Sequence, residues 1–519
     1  MQRLRKFLLN GILLTIAALL MRSVNMSFQV YLSGKLGAAG LGLFSLIMSV
    51  FGFAVTVATS GIHHTTMRLI AEAEARGNEL ELRSAMRHAI RYALIFGFSA
   101  CILLFSLSSA LATYILHDQR TLRALRLLAI SLPFLSVTSG LQGYFHAVRR
   151  VAKNVAVQVS DQCFYMTVTV LALLYFAPHD VESACLCIIA GSCLAELYSF
   201  SFSLLLYVWD RKHHPLANES APPPHMAKRL CGIAIPIALS TYVRSGLVTV
   251  EHLLIPRGLR KSGSDSDGAL ASYGVLHGMA LPVILFPMAL LTSFCGLLVP
   301  EFTESQTKGE NARIRSVAGS VITITLAFSI GCCVLIAFFS EQIALYIYHE
   351  AAVADYLRLL APLIPVMYLD HAVDHMLKGL NQQLYSMRVN ILDAAISVLL
   401  VWLLLPKFGM NGYVFVLYFT ECVNAFFSCY RLIRMTRTHC SVISGVIKPC
   451  LAGIGATSIA NLAFYFLHIA CDAKSALFFQ IGLTTILYVI FLLTLHTLRQ
   501  NGRRWMHAVC GHTPFKFCE

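Results

Sequence analysis

The sequence predicts an all-α polytopic membrane protein of about fourteen transmembrane helices, built as two pseudo-symmetric six-helix bundles plus two C-terminal helices. Three observations predict it. The composition is too apolar for a water-soluble globule, long apolar runs follow one another along the chain, and one half of the sequence superimposes on the other.

The 519 residues are 57% hydrophobic and 13% charged, with a mean hydropathy of +0.69. That is too little polar surface to cover a globule of this size, so lipid is the expected solvent. A bilayer core about 30 Å thick needs roughly 20 apolar residues per crossing. A window of that length finds its candidates near residues 7–32, 41–66, 90–112, 124–146, 155–177, 184–209, 230–255, 271–299, 317–339, 356–378, 386–405, 411–433, 446–468 and 475–498. Barrel strands are excluded, because they alternate over about ten residues whereas these runs are continuously apolar. The first run follows Arg3, Arg5 and Lys6 but is too long for a signal-peptide core and lacks a small-residue cleavage site, so it reads as retained.

An even number of crossings puts both termini on one side. Placing the N-terminus in the cytoplasm gathers most of the 40 Lys and Arg into inside segments, as the positive-inside rule requires. The formal charge of +14 then belongs to loops lying against anionic lipid heads rather than to a nucleic-acid surface, because the basic residues are dispersed. Most of the 16 cysteines fall within apolar runs, as Cys101, Cys163, Cys332 and Cys333 do, and read as small hydrophobes. No Walker loop, GxSxG elbow or HExxH helix is present, so neither an enzyme nor an ATP-driven pump is indicated, and no cofactor or metal is expected.

Sliding the chain by 232 residues lays Tyr114-Ile115-Leu116-His117-Asp118 on Tyr346-Ile347-Tyr348-His349-Glu350, and Leu125-Arg126-Leu127-Leu128-Ala129 on Leu357-Arg358-Leu359-Leu360-Ala361. Gly42 meets Gly274, Gly77 meets Gly309, Pro133 meets Pro365 and Asp161 meets Asp393. At an offset of 222 Arg22 meets Arg244, and at 225 Glu196 meets Glu421. Charges, glycines and prolines in one register mark a duplication. It divides the chain into a first bundle (1–209), a cytoplasmic linker (210–229), a second bundle (230–434) and two extra helices with a basic cytoplasmic tail (435–519). Copies with an even number of helices share one orientation, related by a two-fold axis along the membrane normal.

An ionisable group at mid-bilayer costs at least about 2.5–3.5 kcal/mol, so each calls for a role or a partner. Arg22 and Arg244 each lie some fifteen residues into the first helix of their repeat, near mid-membrane. Guanidinium forks grip phosphate oxygens bidentately, so a symmetric pair suits an anionic head group. Glu251, Asp161 and Asp393 complete the expected substrate site, and the alternative is that they and Glu196 serve as internal counter-ions to the arginines. In the tenth run Asp370 and Asp374 share a helix face, as do His371 and His375, which makes this stretch a candidate ion or proton site.

A basic start followed by Gly11 and an apolar helix, Leu36-Gly37-Ala38-Ala39-Gly40-Leu41-Gly42-Leu43, Ala71 to Gly77-Asn78, Leu141-Gln142-Gly143-Tyr144-Phe145, Ile255-Pro256-Arg257-Gly258-Leu259 and Leu298-Val299-Pro300-Glu301-Phe302-Thr303-Glu304 follow one another over residues 5–435. In these pieces and their order the sequence resembles the stage V sporulation protein B family of polysaccharide-biosynthesis membrane proteins, within the multidrug, oligosaccharidyl-lipid and polysaccharide exporter superfamily. The resemblance implies the fold of multidrug and toxin extrusion proteins and a flippase-like exporter of a polyprenyl-diphosphate-linked saccharide, a peptidoglycan or polysaccharide precursor, tied in this branch to the spore cortex. It also implies that Arg22 and Arg244 contact the diphosphate. The expected location is the bacterial cytoplasmic membrane, with lipids and cell-wall synthesis enzymes as partners. A cation-coupled multidrug exporter and a non-transporting cell-wall scaffold are the competing readings.

Overall fold

The computed structural model describes residues 2–178, 180–213, 225–438, 443–467 and 473–495, and among these there are helices and turns but no β-strand. In chain order the helices are α1 (Gln2–Thr59), α2 (Ile62–Arg76), α3 (Glu79–Ala110), α4 (Thr121–Ala147), α5 (Val151–Phe176), α6 (Val181–His213), α7 (Met226–Lys261), α8 (Ser266–Tyr273), α9 (Leu281–Leu285), α10 (Met288–Thr307), α11 (Asn311–Phe338), α12 (Ser340–Ile343), α13 (Ala352–Leu360), α14 (Ile364–Gly379), α15 (Gln383–Thr436), α16 (Lys448–Leu467) and α17 (Ala473–Thr494). Among the described residues eleven stretches are long and apolar enough to cross a membrane. Leu20–Arg76 and Gln383–Thr436 each hold two of the apolar runs, and the shorter Phe479–Thr494 carries the last, so all fourteen runs have helical counterparts. Most of the 210–229 linker and the basic tail beyond residue 495 lie outside the described residues.

Two of the long helices are folded at glycine. α1 breaks at Gly37 (φ 67°, ψ 178°) and α15 at Gly409 (φ 56°, ψ −139°), conformations that an L side chain resists.

The duplication is written into the backbone. His117 (φ 53°) and His349 (φ 55°), Arg149 and Asn381 (both φ 57°), Gly77 (φ 64°) and Gly309 (φ 71°), and Ala177 (φ 39°) and Gly409 (φ 56°) all take a positive φ at an offset of 232. Their hydrogen bonds repeat as well. Asn78 N–H donates to Ala73 O at 3.1 Å as Glu310 N–H does to Ser305 O at 2.9 Å, closing the same helix end. Arg150 N–H donates to Phe145 O at 2.9 Å as Gln382 N–H does to Leu377 O at 2.8 Å. A widened π-helical turn also stands at matching positions in both repeats, Leu111–Leu116 and Ala344–Tyr348.

Packing divides the chain into two compact units, one comprising Met1–Gly34 with Val275–Glu519 and the other Lys35–Gly274. These units differ from the repeat boundaries: the start of α1 belongs with the later part of the chain, and α7 and α8 with the earlier part. The Lys35–Gly274 unit has a core of α2, α3, α4 and the start of α7, including Ile62, Leu69, Leu82, Met86, Leu141 and Leu230. Ser136 Oγ on α4 lies 2.8 Å from Ala58 O and 2.9 Å from Ala93 O, joining three helices. In the other unit α16 and α17 pack on α11 through Ala327, Ala452, Ala456 and Tyr488, whose hydroxyl donates to Ala327 O at 2.6 Å.

Candidate functional site

Arg22 lies on α1 within the unit that holds residues 275–519. Four and seven residues further on, Met26 is contacted by the Tyr348 hydroxyl at 3.9 Å and Gln29 Nε2 donates to Gly278 O at 3.0 Å. At 100° per residue these three positions form one stripe, so Arg22 sits on the face that α1 turns toward its own unit. It is nevertheless solvent-exposed, and no carboxylate lies within 4 Å of it among the described residues.

Arg244 lies on α7 within the other unit. Gly246 lets α7 approach Phe53 closely, and Ser245 Oγ and Thr56 Oγ1 are 3.0 Å apart. Tyr242 is hydrogen-bonded to Ser60, and Thr249 Oγ1 donates to Ser49 O at 3.3 Å. These contacts take up one side of α7 and leave Arg244 exposed on the opposite side, again without an ion-pair partner among the described residues.

The acids fall into two classes. Asp161 on α5 is half-buried, and Glu196 on the adjoining α6 is within electrostatic range of it. The helices are locked there by Phe164 stacked on Tyr198 at 4.5 Å. Their repeat counterparts Asp393 and Glu421 both lie on α15, one on each side of Gly409, and each of them, like Glu251 on α7, has a polar or electrostatic neighbour.

The tenth run forms α14, and its four polar residues do come together. Asn424 donates to Asp370 at 3.2 Å, while Asp374 accepts from Ser386 and pairs with Lys378 at 2.9 Å. His375 Nδ1 donates to His371 O at 2.9 Å, the two rings are 4.6 Å apart, and His371 Nε2 lies 3.0 Å from Thr292 Oγ1. Ser386 and Asn424 come from the two arms of α15, which the break at Gly409 folds back on each other. Among the described residues no three His, Cys, Asp or Glu side chains are grouped to hold a metal ion.

Sequence reasoning missed a charged plate in the Lys35–Gly274 unit. Asp210, fully buried at the end of α6, accepts from Tyr144 at 2.6 Å and pairs with Arg150 and Lys153. Buried Glu79 pairs with Arg211 and, at 2.7 Å, with Arg83, while buried Glu81 pairs with Arg76 at 2.6 Å and Arg229 at 3.6 Å. The only sequence signal was an excess of acids at the start of α3, and Asp210 reads as the first residue of a linker. A second missed chain runs from Asn154 Nδ2 to His146 at 2.8 Å, on to His63 at 3.2 Å, and from His63 to Ser139 O at 3.3 Å.

A family model described as polysaccharide biosynthesis protein matches residues 7–306, more than half of the chain. The chain belongs to that family. A MatE model matches residues 262–403 of this polysaccharide biosynthesis family member, and both place it in the multidrug, oligosaccharidyl-lipid and polysaccharide exporter superfamily. Stage V sporulation protein B of Bacillus subtilis (strain 168) is 22% identical over 414 residues, covering 78% of this chain and 79% of that protein. Lipid II flippase MurJ of the same organism is 20% identical over 420 residues, covering 76% of each. Among solved structures, lipid II flippase MurJ in an inward closed conformation gives a TM-score of 0.71 at 13% identity, covering 93% of this chain and 99% of that one. A multidrug resistance MATE family transporter in an inward-facing conformation gives 0.66 at 14% identity, covering 82% and 99%. At these identities the superpositions establish the fold.

Proposed function

We propose that this protein is a membrane transporter, not an enzyme, that flips a polyprenyl-diphosphate-linked saccharide outward across the bacterial cytoplasmic membrane by alternating access. The observation that carries the reading is the pair Arg22 and Arg244: repeat-equivalent, exposed, and without an acidic partner among the described residues. A guanidinium kept at mid-membrane without a counter-ion is costly unless something anionic visits it. A diphosphate supplies the charge and the oxygen geometry that two forks need, while the lipid tail stays in the bilayer.

The names of the relatives, a sporulation protein and a lipid II flippase, support a cell-wall precursor as cargo and cell-wall synthesis enzymes as neighbours. Asp161, Glu251 and Asp393 are assigned to the same route, where carboxylates suit sugar hydroxyls. With both termini cytoplasmic, a diphosphate moving outward and an empty cationic cavity returning inward both run with a potential worth about 2.3 kcal/mol per charge per 100 mV.

A second reading, cation-coupled drug export, is favoured by the MatE match over residues 262–403, which contain Asp370, His371, Asp374 and His375 as a candidate ion or proton site. The deciding experiment is a proteoliposome assay that follows a fluorescent polyprenyl-diphosphate lipid between leaflets. Arg22→Ala or Arg244→Ala is expected to lower the flipping rate about tenfold or more, the equivalent of one lost charge-assisted grip, with membrane insertion unchanged. Undiminished flipping in both variants would remove the arginines from the mechanism, and efflux of cationic drugs without lipid movement would favour the second reading.

A further inference from the structure

The hydrogen-bonded chain from Asn154 to Ser139 joins three elements of the Lys35–Gly274 unit: α5 supplies Asn154, α4 supplies His146 and Ser139, and α2 supplies His63. Its two ends fix its direction. The Asn154 Nδ2 group can only donate, so His146 Nε2 is a bare acceptor at 2.8 Å. The hydrogen of His146 is therefore on Nδ1, which donates to His63 Nε2 at 3.2 Å. His63 Nδ1 in turn donates to Ser139 O at 3.3 Å, and a carbonyl can only accept. Both rings are neutral in this arrangement, and each carries its hydrogen on Nδ1.

Asn154 is only 2% exposed, and its Oδ1 has no partner among the described residues. No bond of its own therefore holds the oxygen where it is. Turning the amide over puts Oδ1 in the place of Nδ2, as an acceptor facing His146 Nε2. A proton taken from water at His146 Nε2 is then donated to Asn154 Oδ1, while His146 Nδ1 still donates to His63. The number of bonds is unchanged, and the two made by His146 become charge-assisted. The hydrogen between the rings can reside on either nitrogen, so the charge belongs to the pair. A second proton has no place, because it would set one N–H against another across the 3.2 Å between the rings.

We propose that His63, His146 and Asn154 form a binding site for a single proton, shared between the two rings and admitted by rotation of the Asn154 amide. The site goes beyond the transport reading and does not depend on it. The groups around it leave the proton to hydrogen bonds rather than to an ion pair. On α2, exposed His64 lies 5.3 Å from the His63 ring and, when charged, repels a proton on either ring. At the turn into α5, Arg149 is exposed, and Arg150 and Lys153 are held by Asp210 of α6. Tyr92 of α3 and Tyr242 of α7 are hydrogen-bonded to Ser60, and Cys231 of α7 is within electrostatic range of Tyr92. Among the described residues no carboxylate pairs with either ring.

The test is solid-state nitrogen NMR of the full chain, labelled at histidine and held in lipid bilayers, with His63→Gln and His146→Gln identifying the two rings among the 19 histidines. At about pH 8 both rings are expected to carry hydrogen on Nδ1 alone, and at about pH 5 three of the four ring nitrogens of the pair are expected to carry it. Four at the lower pH would mean two independent histidines, and two would mean that no proton is bound. Hydrogen on either Nε2 at the higher pH would mean that the chain of bonds does not run as described. Each of these results overturns the site. Asn154→Leu is expected to weaken proton uptake about tenfold, moving it about one pH unit lower, and Asn154→Asp to strengthen it by as much. Uptake unmoved in Asn154→Leu would overturn the part given to the amide. His64→Gln is expected to leave the count at three, and a count of two in that variant would overturn the pair as the binding site. If Asn154→Leu does not fold, the wild-type count alone decides. No readout here involves lipid movement, so failure of the transport reading leaves the site standing and failure of the site leaves the transport reading standing.

Discussion

α4 and α14 are the same helix made twice, and they have been given different work. At the offset of 232, Thr138, Ser139, Gln142, Gly143 and His146 of α4 stand where α14 has Asp370, His371, Asp374, His375 and Lys378. The helix ends match to a few tenths of an ångström in their closing hydrogen bonds. Between those ends, α4 is packed for closeness: a Cβ on Gly143 would sit 2.6 Å from His63 O. α14 instead carries two acids, two histidines and a lysine, each acid with a donor from a different arm of α15. Duplication has kept the backbone, where a change would break helix ends, and released the side chains, where a change alters only the local partner.

The charged ends show the same divergence with a reversal of sign. Glu81 draws Arg76 and Arg229 to it, whereas its counterpart Arg313 draws Glu301 at 2.8 Å and Glu310 at 3.1 Å. The Lys35–Gly274 unit buries Glu79, Glu81 and Asp210, while the equivalent turn after α10 keeps Glu304 exposed, 2.5 Å from Lys308, which holds that carboxyl below its usual range.

The contrast can be broken most severely at the buried plate. Asp210→Ala leaves Arg150 and Lys153 without their shared carboxylate and is expected to destabilise the protein by about 3 kcal/mol, read as a lowered thermal midpoint in detergent. A smaller loss, about 2 kcal/mol, is expected for Gly143→Ala, because the new methyl must push α2 away from α4. Gly at position 375, by contrast, should be well tolerated, and a midpoint for His375→Gly as low as that of Gly143→Ala would erase the distinction between the two helices. The smallest effect on stability, under about 1 kcal/mol, is expected for Asp370→Asn, which keeps a hydrogen bond to Asn424. Its signature is functional: if α14 carries the ion site, the variant's flipping rate no longer responds to an imposed sodium or proton gradient.

The fold was legible because its information is local. A glycine at a left-handed helix end, a proline, and an apolar run of membrane length each declare themselves within a few residues, and one offset collects them. The polar face of α14 was legible for the same reason, since four titratable residues in an apolar helix stand out. Its partners were not, because Ser386 reaches it through the left-handed turn at Asn381 and Asn424 only through the fold at Gly409. Asp210 was hidden by resembling a linker residue, and its meaning lies in Tyr144, Arg150 and Lys153 on other elements. Nor does chain order reveal that α7 packs with the helices before it, which depends on Gly246 approaching Phe53 and on Arg229 reaching Glu72.

The paired π-helical turns at Leu111–Leu116 and Ala344–Tyr348 carry a date. Each ends in a left-handed histidine, His117 or His349, whose N–H returns to the carbonyl five residues back, Ala112 O or Ala344 O. A widened turn closed by a left-handed residue is one of the ways a helix C-terminus ends. Finding the same choice in the same register of both halves, closed by the same residue type, is most economically read as one ending inherited twice, so the ancestral half already ended this helix in that way before it was copied.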